Sequence, residues 1–357
     1  MDLFIIPLIA FVSVAVLIPV AIKCAPALKL VDLPDGPQGR KRHEGQVPLI
    51  GGLIIFPVFI ILSVICGFSI AEYWPLYSAI LVLLVTGAID DKRHIRPWIK
   101  FLMQFVAAAL IIFPGQARIH QLGDLLGLGA FGLEFAWLPF SFIAVVLLIN
   151  AINLMDGLDG LAAGISGIAL TWFAIVFYMA GDLQSLSMVS VLIAAIVGFL
   201  IYNLRHPFRK RASLFLGDAG SLCLGLCLAW FAVYAGKNPM QPALAPIGVA
   251  WVLAIPIMDT CAQFYRRMRL GQHPFTADRG HFHHHCVHAG LSDGKAVLLI
   301  LMLAGLTGAY GVLGLKLGLP QVIITLSWIV VLLAHIACSN KPERYINFIS
   351  AVFKRSK

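Results

Sequence analysis

Charged residues are scarce in this sequence: Asp, Glu, Lys and Arg together supply 12% of its 357 residues. Soluble globular domains usually contain about 25% charged residues. Hydrophobic residues make up 60% of the chain, and the mean hydropathy is +0.91. This composition excludes an ordinary soluble domain and indicates that most of the chain lies in a lipid bilayer.

Cysteine pairs, repeats and low-complexity segments are also missing. The seven cysteines form no CxxC pair and mostly lie in apolar stretches, so we interpret them as small core side chains and not as a disulfide framework or zinc site. No basic n-region precedes the first apolar stretch and no small-residue cleavage signal follows it. We therefore expect that stretch to be retained as a helix.

Eleven apolar stretches approach the length of about 20 residues that a membrane-spanning helix needs. They cover residues 3–22, 47–69, 75–90, 98–114, 135–152, 160–180, 185–204, 213–235, 244–264, 296–315 and 319–338. The predicted fold is all-α, a polytopic membrane helix bundle of about 11 (10–11) transmembrane helices. Residues 1–340 are expected to form a single integral-membrane domain, followed by a short basic cytoplasmic tail, 341–357.

The basic residues are distributed asymmetrically about these stretches. Of the 26 Lys and Arg, all but Arg118, Lys237 and Lys316 fall on one side of the predicted bundle. By the positive-inside rule that side is cytoplasmic, so we expect a periplasmic N-terminus and a cytoplasmic C-terminus. The expected cytoplasmic loops are 23–46, 91–98, 152–159, 205–213 and 265–295. The net charge of +9 is then a topology signal, and no nucleic-acid partner is expected.

Acidic residues converge on the cytoplasmic ends of several predicted helices. They are Asp90, Asp91, Asp156, Asp159, Asp218 and Asp259. Ionisable residues in membrane segments are costly and usually functional, so this convergence predicts an acidic site at one leaflet. For the adjacent pair Asp90 and Asp91, a plain solvated pair beside Lys92 and Arg93 remains an equal alternative.

Three further segments carry chemistry. In NAINLMDGLDG (150–160), Asn153, Asp156 and Asp159 are spaced by three, which on a helical turn puts them on one face. Their hard oxygen ligands suit Mg²⁺; the alternative is a polar helix cap followed by a small-residue packing seam. In FLGDAGS (215–221), free N–H groups at a helix start favour an anion such as diphosphate, or Asp218 simply caps the helix.

The loop 266–285 contains three arginines and four histidines. A phosphate clamp is the favoured interpretation, because Arg binds phosphate oxygens bidentately. A transition-metal site and a merely solvated loop are the alternatives.

Taken in order, these segments resemble a known superfamily over nearly the whole chain. The matching motifs are KRHEGQVPLIGG (41–52), GAIDDKRHIRPWIK (87–100), NAINLMDGLDG, FLGDAGS, IPIMDT (255–260) and YRRMRLGQHPFTADRGHFHHH (265–285). The chain resembles the polyprenyl-phosphate N-acetylhexosamine-1-phosphate transferases (glycosyltransferase family 4), and the last motif is most similar to the N-acetylglucosamine branch.

The resemblance implies a reaction in the bacterial cytoplasmic (inner) membrane, with the active site on its cytoplasmic face. A UDP-N-acetylhexosamine would donate its sugar phosphate to undecaprenyl phosphate, releasing UMP, as a first step towards O-antigen or another cell-surface polysaccharide. Mg²⁺ or Mn²⁺ is the expected cofactor. UDP-MurNAc-pentapeptide is an alternative donor, and the sequence leaves open whether two copies form a homodimer.

The resemblance also implies roles for individual residues. Asp90 and Asp91 match the catalytic acids, one of them proposed to deprotonate the lipid phosphate; we expect Asp90 to be that base and Asp91 to support a Lys or Arg. Asp218 and Asn153 match the metal ligands. The expected substrate-binding residues are His43, Lys100, Asp156, Asp159, Phe215, Arg267, His281, His283 and His284. At His285 the chain departs from the branch, in which an apolar residue is more usual.

Two other function classes fit the sequence less well. A secondary transporter should place its acids near mid-membrane, in broken helices related by an inverted repeat, whereas here they lie at one face and no repeat is found. A CDP-alcohol phosphotransferase would carry a different aspartate signature. The sequence does not separate direct displacement from a phospho-aspartyl intermediate.

Overall fold

The computed structural model describes residues 2–33, 45–206, 209–236, 242–273 and 280–354. His43, predicted to bind substrate, lies outside these residues. The described chain is helical apart from one pair of two-residue antiparallel strands, β1 (Val31–Asp32) and β2 (Val47–Pro48). The predicted all-α class is confirmed.

Fourteen α-helices and one 3₁₀ turn (Glu134–Ala136) occur in the described residues. The helices are α1 (Asp2–Cys24), α2 (Gly51–Ile65), α3 (Ile70–Arg93), α4 (Pro97–Ile112), α5 (Trp137–Met155), α6 (Leu161–Ala180), α7 (Leu183–Asn203), α8 (Gly217–Gly236), α9 (Pro246–Val252), α10 (Ala254–Arg269), α11 (Phe282–His288), α12 (Asp293–Lys316), α13 (Gln321–Ser339) and α14 (Pro342–Lys354).

Eight of these helices are long and apolar enough to cross a membrane: α1, α3, α5, α6, α7, α8, α12 and α13. A ninth candidate is the pair α9–α10, which bends by 80° at Leu253. Pro256 explains the break, because proline has no N–H to donate and its ring clashes with the carbonyl four residues earlier. Helices α2 and α4 are apolar but shorter, with 15 and 16 residues.

Helix α8 lies at the centre of the bundle and packs against α2, α3, α5 and α6. Most of its side chains are buried, so it reads as apolar on every face, as expected for a helix surrounded by other helices. Small residues allow its neighbours to approach. A methyl group built on Gly87 of α3 would overlap the backbone of Ala219, and one built on Gly52 of α2 would overlap the backbone of Gly220.

Gly87→Ala is expected to lower the unfolding temperature of the detergent-solubilised protein, although alanine is the better helix former. The added methyl group meets backbone and not a movable side chain, and overpacking of this kind costs about 1–3 kcal/mol. Gly305→Ala in α12 is the matched control, because no atom lies within 4 Å of its added methyl group. Equal unfolding temperatures for the two variants would contradict the close α3–α8 contact.

Candidate active site

Five helix ends enclose a cavity of about 1160 Å³ at one end of the bundle. The ends are the last residues of α3, α5 and α7 and the first residues of α8 and α12. Its acidic lining residues are Asp32, Asp90, Asp91, Asp156, Asp159, Asp218 and Asp293, and its cationic ones are Lys29, Lys92, Arg205, Lys210 and Arg211. The cavity therefore brings together five of the six carboxylates that the sequence marked, Asp259 being the exception.

The Asp91 carboxylate caps the start of α8 from a neighbouring helix. Its Oδ1 accepts a hydrogen bond from the backbone N–H of Asp218 at 2.9 Å, and its Oδ2 accepts one from Ala219 at 3.3 Å. Gly87 makes this reach feasible, since it lies one turn before Asp91 on the same face of α3. The predicted anion site at this helix start is thus occupied, within the protein, by a carboxylate.

Lys100 joins two carboxylates from different helices. Its Nζ lies 2.9 Å from Oδ2 of Asp90 and 2.7 Å from Oδ2 of Asp218. The other oxygen of Asp90 accepts a hydrogen bond from the backbone N–H of Ile95 at 2.9 Å. Asp90 is therefore engaged through both oxygens, and it is Asp90, not Asp91, that pairs with a basic residue.

Asn153 and Asp218, the two predicted metal ligands, are in contact. The Asn153 amide donates hydrogen bonds to Oδ1 of Asp218 at 2.6 Å and to the Ser221 hydroxyl at 2.9 Å. Asp218 does not cap α8, because its side chain points to Lys100 and Asn153. The nearby Asn150 has a separate, structural role: its side chain pairs with Gln104 of α4 inside the bundle.

Asp156 and Asp159 lie beyond the end of α5, which stops at Met155. They belong to the turn before α6, so the predicted single helical face does not extend to them. Asp159 accepts a hydrogen bond from Arg205 at 2.6 Å, and Arg205 also pairs with Asp293 at 2.9 Å. The Asp156 carboxylate faces the open cavity and makes no hydrogen bond or ion pair with any described side chain.

Among the described carboxyl groups outside the membrane helices, Asp156 has the pKa that differs most from its ordinary value. Although it is open to the cavity, the protein around it reduces its hydration, and this desolvation raises its pKa to about 8, with the charges of Asp218, Asp91 and Asp159 adding to the shift. Without a cation beside it, the Asp156 carboxyl is therefore largely protonated at neutral pH.

Phe215 forms part of the cavity wall through a backbone bridge to the segment after β2. Its N–H donates to the carbonyl of Pro48 at 2.7 Å, and its own carbonyl accepts from Gly51 at 3.0 Å. Asn203 supports the same wall, because its side chain joins Gly160 in the acidic turn to Leu214.

The histidine-rich segment is mostly buried behind the cavity. Asp259 of α10 accepts hydrogen bonds from Nδ1 of His281 at 2.7 Å and from the backbone N–H of Phe282 at 2.9 Å. Arg267, which is completely buried, contacts Nε2 of His281 at 3.3 Å. Of the loop residues predicted to bind substrate, only His284 lines the cavity.

His283 lies directly beneath the acidic turn. Its ring contacts the position of Gly157, so a side chain at residue 157 would collide with it. Both ring nitrogens are buried without a hydrogen-bond partner among the described residues. Burial lowers the pKa of His283 to about 3, with His284 contributing, so this imidazole is neutral at physiological pH.

Nearly the whole chain is similar to known proteins of one family. The sequence model of "Glycosyl transferase family 4" matches residues 73–236. The chain is 32% identical to the undecaprenyl-phosphate alpha-N-acetylglucosaminyl 1-phosphate transferase of Yersinia pestis, covering 91% of this chain and 88% of the relative. The enzyme of the same name from Escherichia coli O157:H7 is 31% identical, with 92% and 89% covered. This chain belongs to glycosyl transferase family 4.

Several cavity residues of this family 4 chain are absent from the sequence-based list of site residues. Lys29, Arg205, Lys210 and Arg211 all line the cavity, whereas the sequence marked them only collectively, among the basic residues of the predicted cytoplasmic side. A second, apolar cavity of about 480 Å³ adjoins the first, lined by Leu28, Leu30, parts of α2 and α3, and Lys92. Residues 28–31 line the two cavities alternately: Lys29 and Val31 line the acidic cavity, and Leu28 and Leu30 line the apolar one. This alternation is the feature of the sequence that could have indicated both cavities.

The donor set of the acidic cavity fits a divalent cation, the cofactor that family 4 phosphotransferases generally use. Among the described residues, no three His, Cys, Asp or Glu side chains are arranged to enclose a metal ion. Mg²⁺ commonly uses only one or two carboxylates and takes its remaining ligands from water and substrate phosphate. Asp218 and the unpaired Asp156, which both line the cavity, supply two such carboxylates.

Asp91→Asn is expected to lower both the unfolding temperature and turnover. The amide keeps the shape of the cap but loses its charge and one of its two acceptor oxygens, and the charge alone is worth about 0.3–1 kcal/mol at a helix start. Asp182→Asn is the control: Asp182 caps α7 through the N–H of Ser185 at 2.9 Å, at the helix end away from the cavity, so stability should fall without loss of turnover. An Asp91→Asn protein with unchanged unfolding temperature would exclude the capping role.

Proposed function

We propose that this chain transfers N-acetylglucosamine-1-phosphate from UDP-N-acetylglucosamine to undecaprenyl phosphate. An oxygen of the lipid phosphate attacks the phosphorus that carries the sugar, the diphosphate bridge breaks, and UMP leaves. The observation that carries the proposal is that Lys100 contacts both Asp90 and Asp218, and Asn153 contacts Asp218, at a cavity whose wall carries several cationic side chains. The names of the relatives in Yersinia pestis and Escherichia coli support this reaction.

The cavity suits two anionic substrates. Phosphoryl transfer depends on charge neutralisation and positioning more than on covalent chemistry. Lys100 supplies a cation fixed against Asp90 and Asp218, two of the cavity carboxylates. Lys29, Lys210 and Arg211 are exposed at the cavity wall. We place the uridine and sugar of the donor along the wall formed by Phe215, Asp159 and His284.

Asp218, Asp156 and Asn153 are the residues that would hold a divalent cation, Mg²⁺ or Mn²⁺. When bound, such an ion neutralises charge on the diphosphate and on the departing phosphate. The protein's own part is to orient these oxygens: Lys100 and Asn153 fix the two oxygens of Asp218.

Asp90 and Asp91 are assigned positioning roles in this proposal. Asp90 orients Lys100, and Asp91 holds the start of α8, which carries Asp218. Neither carboxylate is free to act as a nucleophile in this arrangement. A phosphate monoester has its second pKa near 6, so the lipid phosphate is largely dianionic at neutral pH and can attack directly.

The apolar cavity beside α2 and α3 suits the lipid chain of the acceptor. Lys92 lines both this cavity and the acidic one, so it lies where a phosphate headgroup and a hydrocarbon chain would meet. The exposed leucine and isoleucine side chains around it, such as Leu81 and Ile89, face outward from the bundle.

We also propose eleven membrane crossings, with the cavity on the cytoplasmic side of a bacterial inner membrane. The ends of α3, α5 and α7 all lie at the cavity, so the chain must return between them. Helices α4 and α6 make those returns, and α2 leads from the cavity wall beside Phe215 to the start of α3. The N-terminus is then periplasmic, and the basic cavity residues lie on the side the positive-inside rule assigns to the cytoplasm. Periplasmic labelling of a cysteine placed at Lys210 would contradict this orientation.

The reaction is tested with purified enzyme, undecaprenyl phosphate and a panel of UDP-sugars labelled in the uridine. We expect UMP release with UDP-N-acetylglucosamine to exceed that with the other N-acetylhexosamines and with UDP-MurNAc-pentapeptide. UDP-N-acetylglucosamine without lipid should give no UMP burst, because attack is direct. A burst equal to the enzyme concentration would establish a covalent intermediate, and a preference for another donor would overturn the assignment of the sugar.

Asp218→Asn is expected to lower turnover at least about a hundredfold and to raise the Mg²⁺ concentration for half-maximal rate, because a ligand loses its charge but keeps its shape. The measurement is UMP release over a Mg²⁺ titration. Asp32→Asn, a change of the same chemistry at the cavity wall outside the proposed metal site, serves as the control. Near-normal activity of Asp218→Asn at low Mg²⁺ would remove Asp218 from the metal site.

A further inference from the structure

The C-terminal helix α14 packs against the histidine-rich helix α11. Ile349 of α14 is buried with Cys286, and Tyr345 lies among Phe282, His285 and His335. The Ser350 hydroxyl donates a hydrogen bond to the carbonyl of Ala289 at 3.0 Å. The last helix of the chain is therefore in contact with the segment that carries His284 into the cavity.

Polar groups connect α14 to Asp259 through α13. The Tyr345 hydroxyl lies 2.5 Å from Nδ1 of His335, and Nε2 of His335 lies 3.6 Å from Oδ1 of Asp259. That separation exceeds a normal hydrogen bond, yet Nε2 is buried and has no hydrogen-bond partner among the described residues. Asp259, which is 1% exposed, thus has an imidazole on each side.

One set of protonation states satisfies the whole chain of contacts. The Tyr345 O–H donates to Nδ1 of His335, which leaves the N–H of that ring on Nε2, directed at Asp259. Asp259 also accepts from Nδ1–H of His281, so Nε2 of His281 is the acceptor that faces the Arg267 guanidinium. In a neutral imidazole one ring nitrogen carries the proton and the other accepts a hydrogen bond. The partner of one nitrogen therefore determines whether the other nitrogen donates or accepts.

We propose that His335 and Tyr345 are positioning residues for the donor site: through Asp259 they hold the start of α11, and so place His284 at the cavity. The inference rests on the proposed function. Asp259 binds both His281 and the backbone N–H of Phe282, the first residue of α11. A buried carboxylate that anchors a helix start needs partners on its remaining side, and α13 and α14 supply them.

Tyr345→Phe removes one oxygen and keeps the ring packing, so it isolates the hydrogen bond. We expect kcat/KM for UDP-N-acetylglucosamine to fall about two- to tenfold, as for the loss of one neutral hydrogen bond. The KM for undecaprenyl phosphate should stay unchanged. Ser350→Ala is the matched control, because it removes a hydroxyl that docks the same helix outside the chain of contacts.

The chain of contacts is tested further by combination and by conservative replacement. In a His281→Ala background, Tyr345→Phe should have little additional effect on donor kinetics, because both changes act through the same contacts. His335→Gln, which retains an N–H, should keep more activity than His335→Leu. Wild-type donor kinetics in Tyr345→Phe, equal losses in Ser350→Ala, or additive losses with His281→Ala would each overturn the proposal.

A chemical readout separates this inference from the identity of the donor. Cys286 of α11 is completely buried, and burial raises the pKa of its thiol to about 12, so a thiol reagent should modify it slowly. Its labelling rate relative to the exposed Cys24, measured by mass spectrometry, should rise about two- to tenfold in Tyr345→Phe and not in Ser350→Ala. An unchanged ratio would overturn the anchoring of α11, whichever UDP-sugar is the substrate.

Discussion

The arrangement of the cavity end of the bundle depends on how carboxylates are kept together in an apolar environment. Two unit charges about 4 Å apart interact by about 4 kcal/mol at an effective dielectric constant of 20. Uncompensated repulsion of that size would remove much of the about 5–15 kcal/mol by which proteins are stable. Lys100 offsets it by contacting Asp90 and Asp218 at once, and the start of α8 offsets it for Asp91.

These compensations dictate which helices must touch. Lys100 on α4 reaches Asp90 on α3 and Asp218 on α8 only if all three helix ends lie together. Gly87 allows α3 to approach α8 closely enough for Asp91, one turn later, to bind the N–H groups of Asp218 and Ala219. The same interactions that stabilise the bundle therefore also set the positions of the groups in the cavity.

Much of this could be predicted from the sequence. Apolar stretches indicate the helices, because a segment that lies in lipid must be apolar. Ionisable residues in such stretches are rare enough to mark a site. The pairing of Asp90 with Lys100 and of Asp91 with α8 could not be predicted, because adjacent residues on a helix point in different directions and the partners lie on other elements. The burial of Arg267, His281 and His283 was also missed, because nothing in a run of arginines and histidines indicates that Asp259, on another helix, lies behind it.

The capping of α8 by Asp91 determines which groups of the protein can attract an anionic substrate. Because the N–H groups of Asp218 and Ala219 already have an anionic partner, attraction for a phosphate must come from side-chain cations and from the proposed divalent cation instead. Lys29, Lys210 and Arg211 are exposed, so beyond about 8 Å their pull is weakened by physiological salt. Lys100 is sheltered. Ionic strength should therefore govern how often a nucleotide reaches the mouth of the cavity, and leave the step that follows almost untouched.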